Sequence, residues 1–270
     1  MHKYVHGYSQ TEAGRLYDQA NAVEKFLHHD SVWPEGSRIL EAGCGVGAQT
    51  RVIAPKNPTS AFTSVDISPE SVSKAEQLMR SLNVDNVNFM QGDIFDLPFE
   101  NECFDHVFVC FVLEHLHDPV RALKELKRVL KPQGTIMAIE GDHGSTYFHP
   151  DSDAARKAIN CQTLLQKNSG GDANIGRKLY PLLDDAGFDQ IRVSPRQIYV
   201  DDSIPELVEG FTKNTFTAMI EGIAEDAVSN QLITYDEMQK GIDDLLKTAQ
   251  GGGTFCYTFF KGIASKQAQT

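Results

Sequence analysis

The chain predicts an α/β fold built on a parallel sheet. Three observations carry that expectation: apolar runs of strand length alternate with helical runs from residue 38 onward, the first run ends in closely spaced glycines, and the next two end in aspartates. With 270 residues, 41% of them hydrophobic, the chain can bury one large core, or one core carrying an inserted cap.

The amino terminus is polar, and then Ala13, Leu16, Ala20, Val23 and Leu27 recur at three- and four-residue steps, which predicts an amphipathic helix lying outside the sheet. Strand candidates follow at Arg38–Glu41, Ala61–Asp66, Val87–Gln91, Phe104–Val112 and Thr135–Glu140, with helices between them. Ser68 caps the helix after the second strand and Pro69 opens it, ahead of Val72, Ala75, Leu78, Met79 and Leu82. The helix after the fourth strand carries Leu123, Leu126, Val129 and Leu130, and Lys131-Pro132-Gln133-Gly134 ends it. After Asp142 comes a polar insertion, residues 143–175, and then a helix through Leu179, Leu182, Leu183 and Ala186 that stops at Gly187. The sixth strand is Ile191–Val200. A second insertion, 204–249, has helical periodicity in Leu207/Val208/Phe211, Met219/Ile220/Ile223 and Met238/Ile242/Leu245, and Thr254–Phe260 reads as a final apolar-aromatic strand.

Composition excludes several function classes. A net charge of −12 leaves no basic field to replace the counterions of a phosphate backbone, so neither nucleic acid nor an anionic membrane is an expected partner. The first residues lack the apolar core of a signal peptide, and nowhere do about 18 apolar residues run together, so a soluble cytoplasmic protein is expected. Cys44, Cys103, Cys110, Cys161 and Cys256 are odd in number and without CxxC spacing, as reduced packing residues would be.

The stretch Ile39-Leu40-Glu41-Ala42-Gly43-Cys44-Gly45-Val46-Gly47 reads as a strand turning into a helix, where backbone N–H groups can approach a ligand without Cβ hindrance. With Asp66 and Asp93 it outlines a nucleotide site. Read as Gly43-x-Gly45-x-x-Ala48, the same loop satisfies a dinucleotide fingerprint with an acid roughly 20 residues on, so an NAD(P)-dependent oxidoreductase remains an alternative at this point. So does a non-catalytic scaffold that kept the fold.

Four motifs in order resemble one family: Glu41-x-Gly43-x-Gly45-x-Gly47; Val65-Asp66-Ile67-Ser68; Gln91-Gly92-Asp93-Ile94-Phe95-Asp96-Leu97-Pro98-Phe99; and Phe104–Leu116, which contains Cys110, Phe111, Glu114 and His115. Over residues 36–142 the chain is similar to class I S-adenosylmethionine-dependent methyltransferases, especially the small-molecule branch resembling quinone-biosynthesis enzymes. The resemblance implies a Rossmann-like, seven-stranded, mostly parallel sheet whose last strand is antiparallel, a role that Thr254–Phe260 fits, with helical cap insertions. It also divides a single domain, 1–270, into an N-terminal cap helix (1–35), a cofactor-binding core (36–142), cap insertions (143–175 and 204–249) and the end of the core sheet (176–203 and 250–264).

S-adenosylmethionine has a ribose diol, an adenine, an amino-acid end and a sulfonium, but no pyrophosphate. Asp66 can accept both ribose hydroxyls as a bidentate carboxylate. Asp93 is placed for the adenine amine, with Ile67 and Ile94 offering apolar contact to the ring faces. The loop Gly43–Gly47, Cys44 included, admits the methionine part close to backbone, and Glu41 is placed to hold its ammonium directly or through water. Cys110, Phe111 and His115 border the reactive end, and Arg15 is placed to close over the cofactor carboxylate, with a solvated helix position as its alternative. All but Arg15 follow strand ends, where open α/β sheets bind ligands.

Catalysis asks for alignment of a nucleophile with the activated methyl group and for an SN2 displacement. A base is needed only for a protonated acceptor. His115 and His143, which follow the fourth and fifth strands, are the candidates on position and on an imidazole's ordinary pKa near 6.5. His106 sits within a strand and is read as structural, and no metal site is expected from the histidine spacing. Tyr8, Tyr147 and Phe148 are assigned to the substrate. The expected acceptor is a small organic molecule, a secondary metabolite or quinone-like compound, and the expected state is a monomer or homodimer.

Overall fold

A computed structural model describes residues 23–267, and these form a seven-stranded sheet of order β3-β2-β1-β4-β5-β7-β6 with helices between the strands. The strands are β1 (Arg38–Ala42), β2 (Ala61–Asp66), β3 (Val87–Gln91), β4 (Phe104–Cys110), β5 (Leu130–His149), β6 (Asp189–Val200) and β7 (Thr254–Ser265). The first five run parallel to one another. β7 is antiparallel to both its neighbours, as its cross-strand bonds reveal. Gln133 pairs with Lys266 while Ser145 meets Thr258, and Asp189 pairs with Ser265 while Ser194 meets Lys261.

The chain divides into two compact units. The first comprises Leu27–Glu140, Ile175–Pro195 and the described residues from Phe260 onward; the second comprises residues 23–26, Gly141–Asn174 and Arg196–Phe259. Residues 130–140 of β5 thus belong to the first unit and 141–149 to the second.

In the first unit the helices α1 (Thr50–Lys56), α2 (Pro69–Ser81), α3 (Pro119–Val129) and α5 (Leu179–Asp185) follow β1, β2 and β4 and precede β6. Ile39, Leu40, Ile53, Phe62, Phe108, Leu123 and Leu126 are fully buried, each worth about 1.5–3 kcal/mol of apolar burial. Ser68 caps α2 by accepting the Ser71 N–H at 3.2 Å, with Pro69 in the first turn, as expected from sequence. Gly187, at φ +78°, follows α5 at the predicted stop. His106 is structural as read, its Nδ1 2.8 Å from Thr135 Oγ1.

The second unit contains α4 (Asp153–Asn168), α6 (Ala218–Gly222), α7 (Ala224–Ser229), α8 (Tyr235–Lys247) and a π-helical stretch, Val208–Thr217. α8 packs against α4 at Gly241, where a Cβ would lie 2.6 Å from the Ala154 carbonyl oxygen, so only glycine allows this approach. The pair is tied by Asp244, whose carboxylate accepts from Ser152 Oγ at 2.6 Å and from the Lys240 and Lys247 ammonium groups. Thr234 and Glu237 form a capping box at the start of α8.

Three expectations need correction. β4 ends at Cys110 rather than Val112, because Phe111 adopts the left-handed conformation, φ +58°, and turns the chain after its N–H has bonded to the Ile139 carbonyl. Lys131–Gly134 does not separate helix from strand but lies within β5, where Gln133 and Gly134 bond to Lys266, the residue just after β7. The polar segment after Asp142 stays extended to His149, because β7 runs alongside and Ser145 exchanges bonds with Thr258; α4 then fills the middle of the insertion. Among the described residues no helix is long and apolar enough to cross a membrane, and all five cysteines are free thiols.

Candidate active site

The carboxyl ends of β1, β2, β3 and β4 bring together most residues singled out from sequence. Register explains the first contact: Glu41 of β1 stands level with Ser64 of β2, and Ser64 Oγ donates to Glu41 Oε2 at 2.6 Å. Thr50, the first residue of α1, donates to the same oxygen at 2.8 Å. Glu41 is buried, and that burial outweighs the two hydroxyl bonds and pushes its pKa up to about 7.

Beyond β1 the chain turns through Gly43, Gly45 and Gly47, all at positive φ. The N–H groups of Gly43 and Cys44 both reach the Val65 carbonyl, at 2.7 and 3.0 Å, and Gly45 N–H donates to Asp66 Oδ2 at 2.8 Å. The other Asp66 oxygen accepts the Ser68 N–H at 2.9 Å, and burial raises the Asp66 pKa against these bonds. Asp66 therefore fastens the glycine loop to the start of α2, while Ser68 does the capping. The glycines differ in their surroundings. A Cβ on Gly43 would fall 2.4 Å from Val112 Cγ2, whereas one on Gly45 would meet nothing within 4 Å, so the loop has one packed side and one open side.

Ile67 follows Asp66 and is 59% exposed, an unusual position for isoleucine. Asp93, after β3, is exposed and its Oδ1 accepts the Phe95 N–H at 2.9 Å; Ile94 is half-buried against the core. Cys110 ends β4 and is buried, which pushes its thiol pKa well up and leaves no thiolate for covalent chemistry. Phe111 bonds through its N–H to the Ile139 carbonyl, and His115 ends a 3₁₀ turn, Leu113–His115, with Nε2 3.5 Å from Glu114 Oε1.

The remaining predicted residues lie elsewhere. His143 belongs to the second unit, where it is buried with Nδ1 2.7 Å from the Tyr257 hydroxyl and its ring against Phe216. Phe148 is buried, stacked on Phe255 with Arg156 over its ring, and Tyr147 is exposed. Tyr8 and Arg15 lie outside the described residues, as does most of the expected N-terminal helix. Among the described residues no three His, Cys, Asp or Glu side chains gather as a metal-binding group.

Two features, one in each unit, escaped sequence reasoning. Tyr257 as the partner of His143 is a contact across 114 positions that no local pattern announces. Glu140 had a readable signal, a carboxylate ending an otherwise apolar strand, the same cue that marked Asp66 and Asp93. Its Oε1 accepts the Val112 and Leu113 N–H groups at 3.1 and 2.8 Å.

A sequence profile described as a methyltransferase domain matches residues 40–138. An uncharacterised methyltransferase of Schizosaccharomyces pombe is 35% identical over 189 residues, covering 63% of this chain and 68% of that protein. The chain belongs to the S-adenosylmethionine-dependent methyltransferases. Its methyl donor is S-adenosylmethionine, which replaces the oxidoreductase alternative. The methyltransferase is also 32% identical, over 137 residues, to demethylmenaquinone methyltransferase of Staphylococcus aureus, covering 47% of this chain and 56% of that one.

Among solved structures, phosphoethanolamine N-methyltransferase 2 of Haemonchus contortus in complex with S-adenosyl-L-methionine covers 93% of the methyltransferase and 53% of its own chain, with a TM-score of 0.55 at 18% identity. The [4+2]-cyclase SpnF covers 94% and 82%, with a TM-score of 0.55 at 21% identity. These two share the fold, and the second shows that this fold hosts other chemistry.

Proposed function

We propose that the protein transfers the S-adenosylmethionine methyl group to a small organic acceptor of the quinone-like or secondary-metabolite type. The observation that carries the donor half of this reading is the direct bond from the Gly45 N–H to the Asp66 carboxylate, which holds the glycine loop and the acid in one rigid array. Each Asp66 oxygen retains acceptor capacity beyond its backbone bond, enough for two ribose hydroxyls. The open side of Gly45 leaves room for the methionine backbone, and Glu41 is the carboxylate for its ammonium, directly or through water. Exposed Ile67 suits an adenine face, with Ile94 on the other side and Asp93 for the exocyclic amine. The donor supplies an activated sulfonium methyl. The chain's own residues bind, orient and exclude water, which is most of what such a displacement requires.

The acceptor half rests on the second unit. Residues 143–175 and 204–249 act as the cap, and the likeness to demethylmenaquinone methyltransferase supports a quinone-like acceptor. His115 or His143 serves as the base for such an acceptor, with Tyr147 and Phe148 on the substrate side.

The test is calorimetric titration with S-adenosylhomocysteine alongside methyl transfer from labelled donor to a panel of hydroxyquinones, phenols, amines and thiols. Asp66→Ala weakens donor-product binding by about 1.5–3 kcal/mol, the range for bonds to a charged group, while the fold stays intact. Unchanged affinity sinks the ribose assignment, and labelling confined to amines or thiols sinks the acceptor class.

A further inference from the structure

Glu140 ends the first-unit part of β5 and is fully buried. One carboxyl oxygen, Oε1, accepts the N–H groups of Val112 and Leu113, and the other, Oε2, is buried without a hydrogen bond. These bonds fall just after the left-handed Phe111, a conformation that a bulky residue keeps only where its surroundings over-determine it. The Val112 side chain in turn fills the volume that a Cβ on Gly43 would occupy, with Cγ2 at 2.4 Å and Cγ1 at 2.9 Å from that point. A continuous link therefore runs from the Glu140 carboxyl through the Val112 backbone and side chain to the packed side of the glycine loop.

We infer that Glu140 is a positioning residue for the methyl donor, holding the turn after β4 so that Val112 braces Gly43 and fixes the methionine end of the cradle. The inference rests on the reading of Gly43–Gly47 as that cradle. The groups that face Glu140 favour a neutral carboxyl: the Glu114 carboxylate acts on it, and burial together with Glu114 pushes its pKa well up against the backbone bonds. A neutral acid in this position is mimicked closely by glutamine, which offers the same carbonyl acceptor and an N–H₂ where the acid has its proton. Leucine fills similar space but leaves the Val112 and Leu113 N–H groups, the second of them buried, without their acceptor.

The experiment measures S-adenosylhomocysteine affinity, donor KM and kcat, and thermal melting for Glu140→Gln, Glu140→Leu and Val112→Ala. Glu140→Leu is expected to weaken binding about tenfold or more, the equivalent of one buried group left unpaired. Glu140→Gln is expected to restore affinity to within about threefold of wild type, since it keeps the bonding pattern. Val112→Ala, which removes the brace with little effect on the sheet, is expected to raise donor KM several-fold while leaving kcat largely in place, and it decides the matter if Glu140→Leu fails to fold. Wild-type binding in either Glu140→Leu or Val112→Ala overturns the inference, as does a Glu140→Gln protein as impaired as Glu140→Leu. Failure of the underlying cradle reading looks different: there Asp66→Ala binds as tightly as wild type.

Discussion

In the first unit, most residues singled out for the donor are held by main-chain bonds at strand ends: Asp66 by the Gly45 and Ser68 N–H groups, Asp93 by Phe95, and the glycine loop by the Val65 carbonyl, with Glu41, held by two hydroxyls, the exception. In the second unit, those assigned to base and acceptor are held by side chains: His143 by Tyr257 and Phe216, and Phe148 by Phe255 and Arg156. The first arrangement follows from parallel-sheet geometry and survives exchange of most neighbours. The second exists only while its particular aromatic partners remain. The residues proposed for the donor are thus held largely by backbone, and those proposed for the acceptor by packing.

The contrast can be broken most decisively at the histidines. Replacing whichever of His115 and His143 serves as general base lowers kcat by about a hundredfold or more with donor binding largely kept, as seen in turnover at saturating substrate; full activity in both alanine variants removes the histidine base from the proposal. His143→Ala also leaves the Tyr257 hydroxyl without its ring partner, so its melting temperature falls, whereas His115→Ala melts near wild type.

A smaller effect separates the two sides of the glycine loop. Gly43→Ala combines left-handed strain with overlap against Val112 and costs about 3 kcal/mol of stability, while Gly45→Ala, facing open space, costs about 1–2 kcal/mol from the backbone alone. Urea denaturation of the donor-free protein distinguishes them, and equal losses contradict the packed-against-open description.

Glu41 gives a pH signature of similar or lesser size. Because its folded pKa is raised to about 7, the unfolded chain ionises first, and stability declines as pH climbs from about 4.5 to 7, by up to about 3 kcal/mol from this group. Glu41→Gln keeps the acceptor for Thr50 and Ser64 but flattens that part of the profile. The ionised form is also the one that attracts an ammonium, so S-adenosylhomocysteine binding tightens through pH 7 in wild type and not in Glu41→Gln. A profile unaltered by the substitution rejects both statements.

Most of the sheet was legible in the sequence, since strand ends, the Ser68-Pro69 helix start and the Gly187 stop all arise from local propensity. The two misjudged boundaries of β5 share a cause: the strand starts before Thr135 and extends beyond Glu140 because β7, more than a hundred residues later, runs beside it, and period-two alternation cannot register a partner so distant. The carboxylates and glycines proposed for the donor were picked out for the same local reason, each closing an apolar run. The His143–Tyr257 pair and the bond from Glu140 to the turn after β4 were not, because both depend on which strands become neighbours.

The placement of β7 between β5 and β6 has a consequence for synthesis. A chain emerging amino end first can assemble β1 to β5 from neighbours already made, but the outer edge of β5 stays open until β7 follows. During that interval an apolar stretch through Ile136 and Ala138 offers unpaired main-chain groups to any passing strand, so the nascent chain is most vulnerable to aggregation just before its last strand arrives.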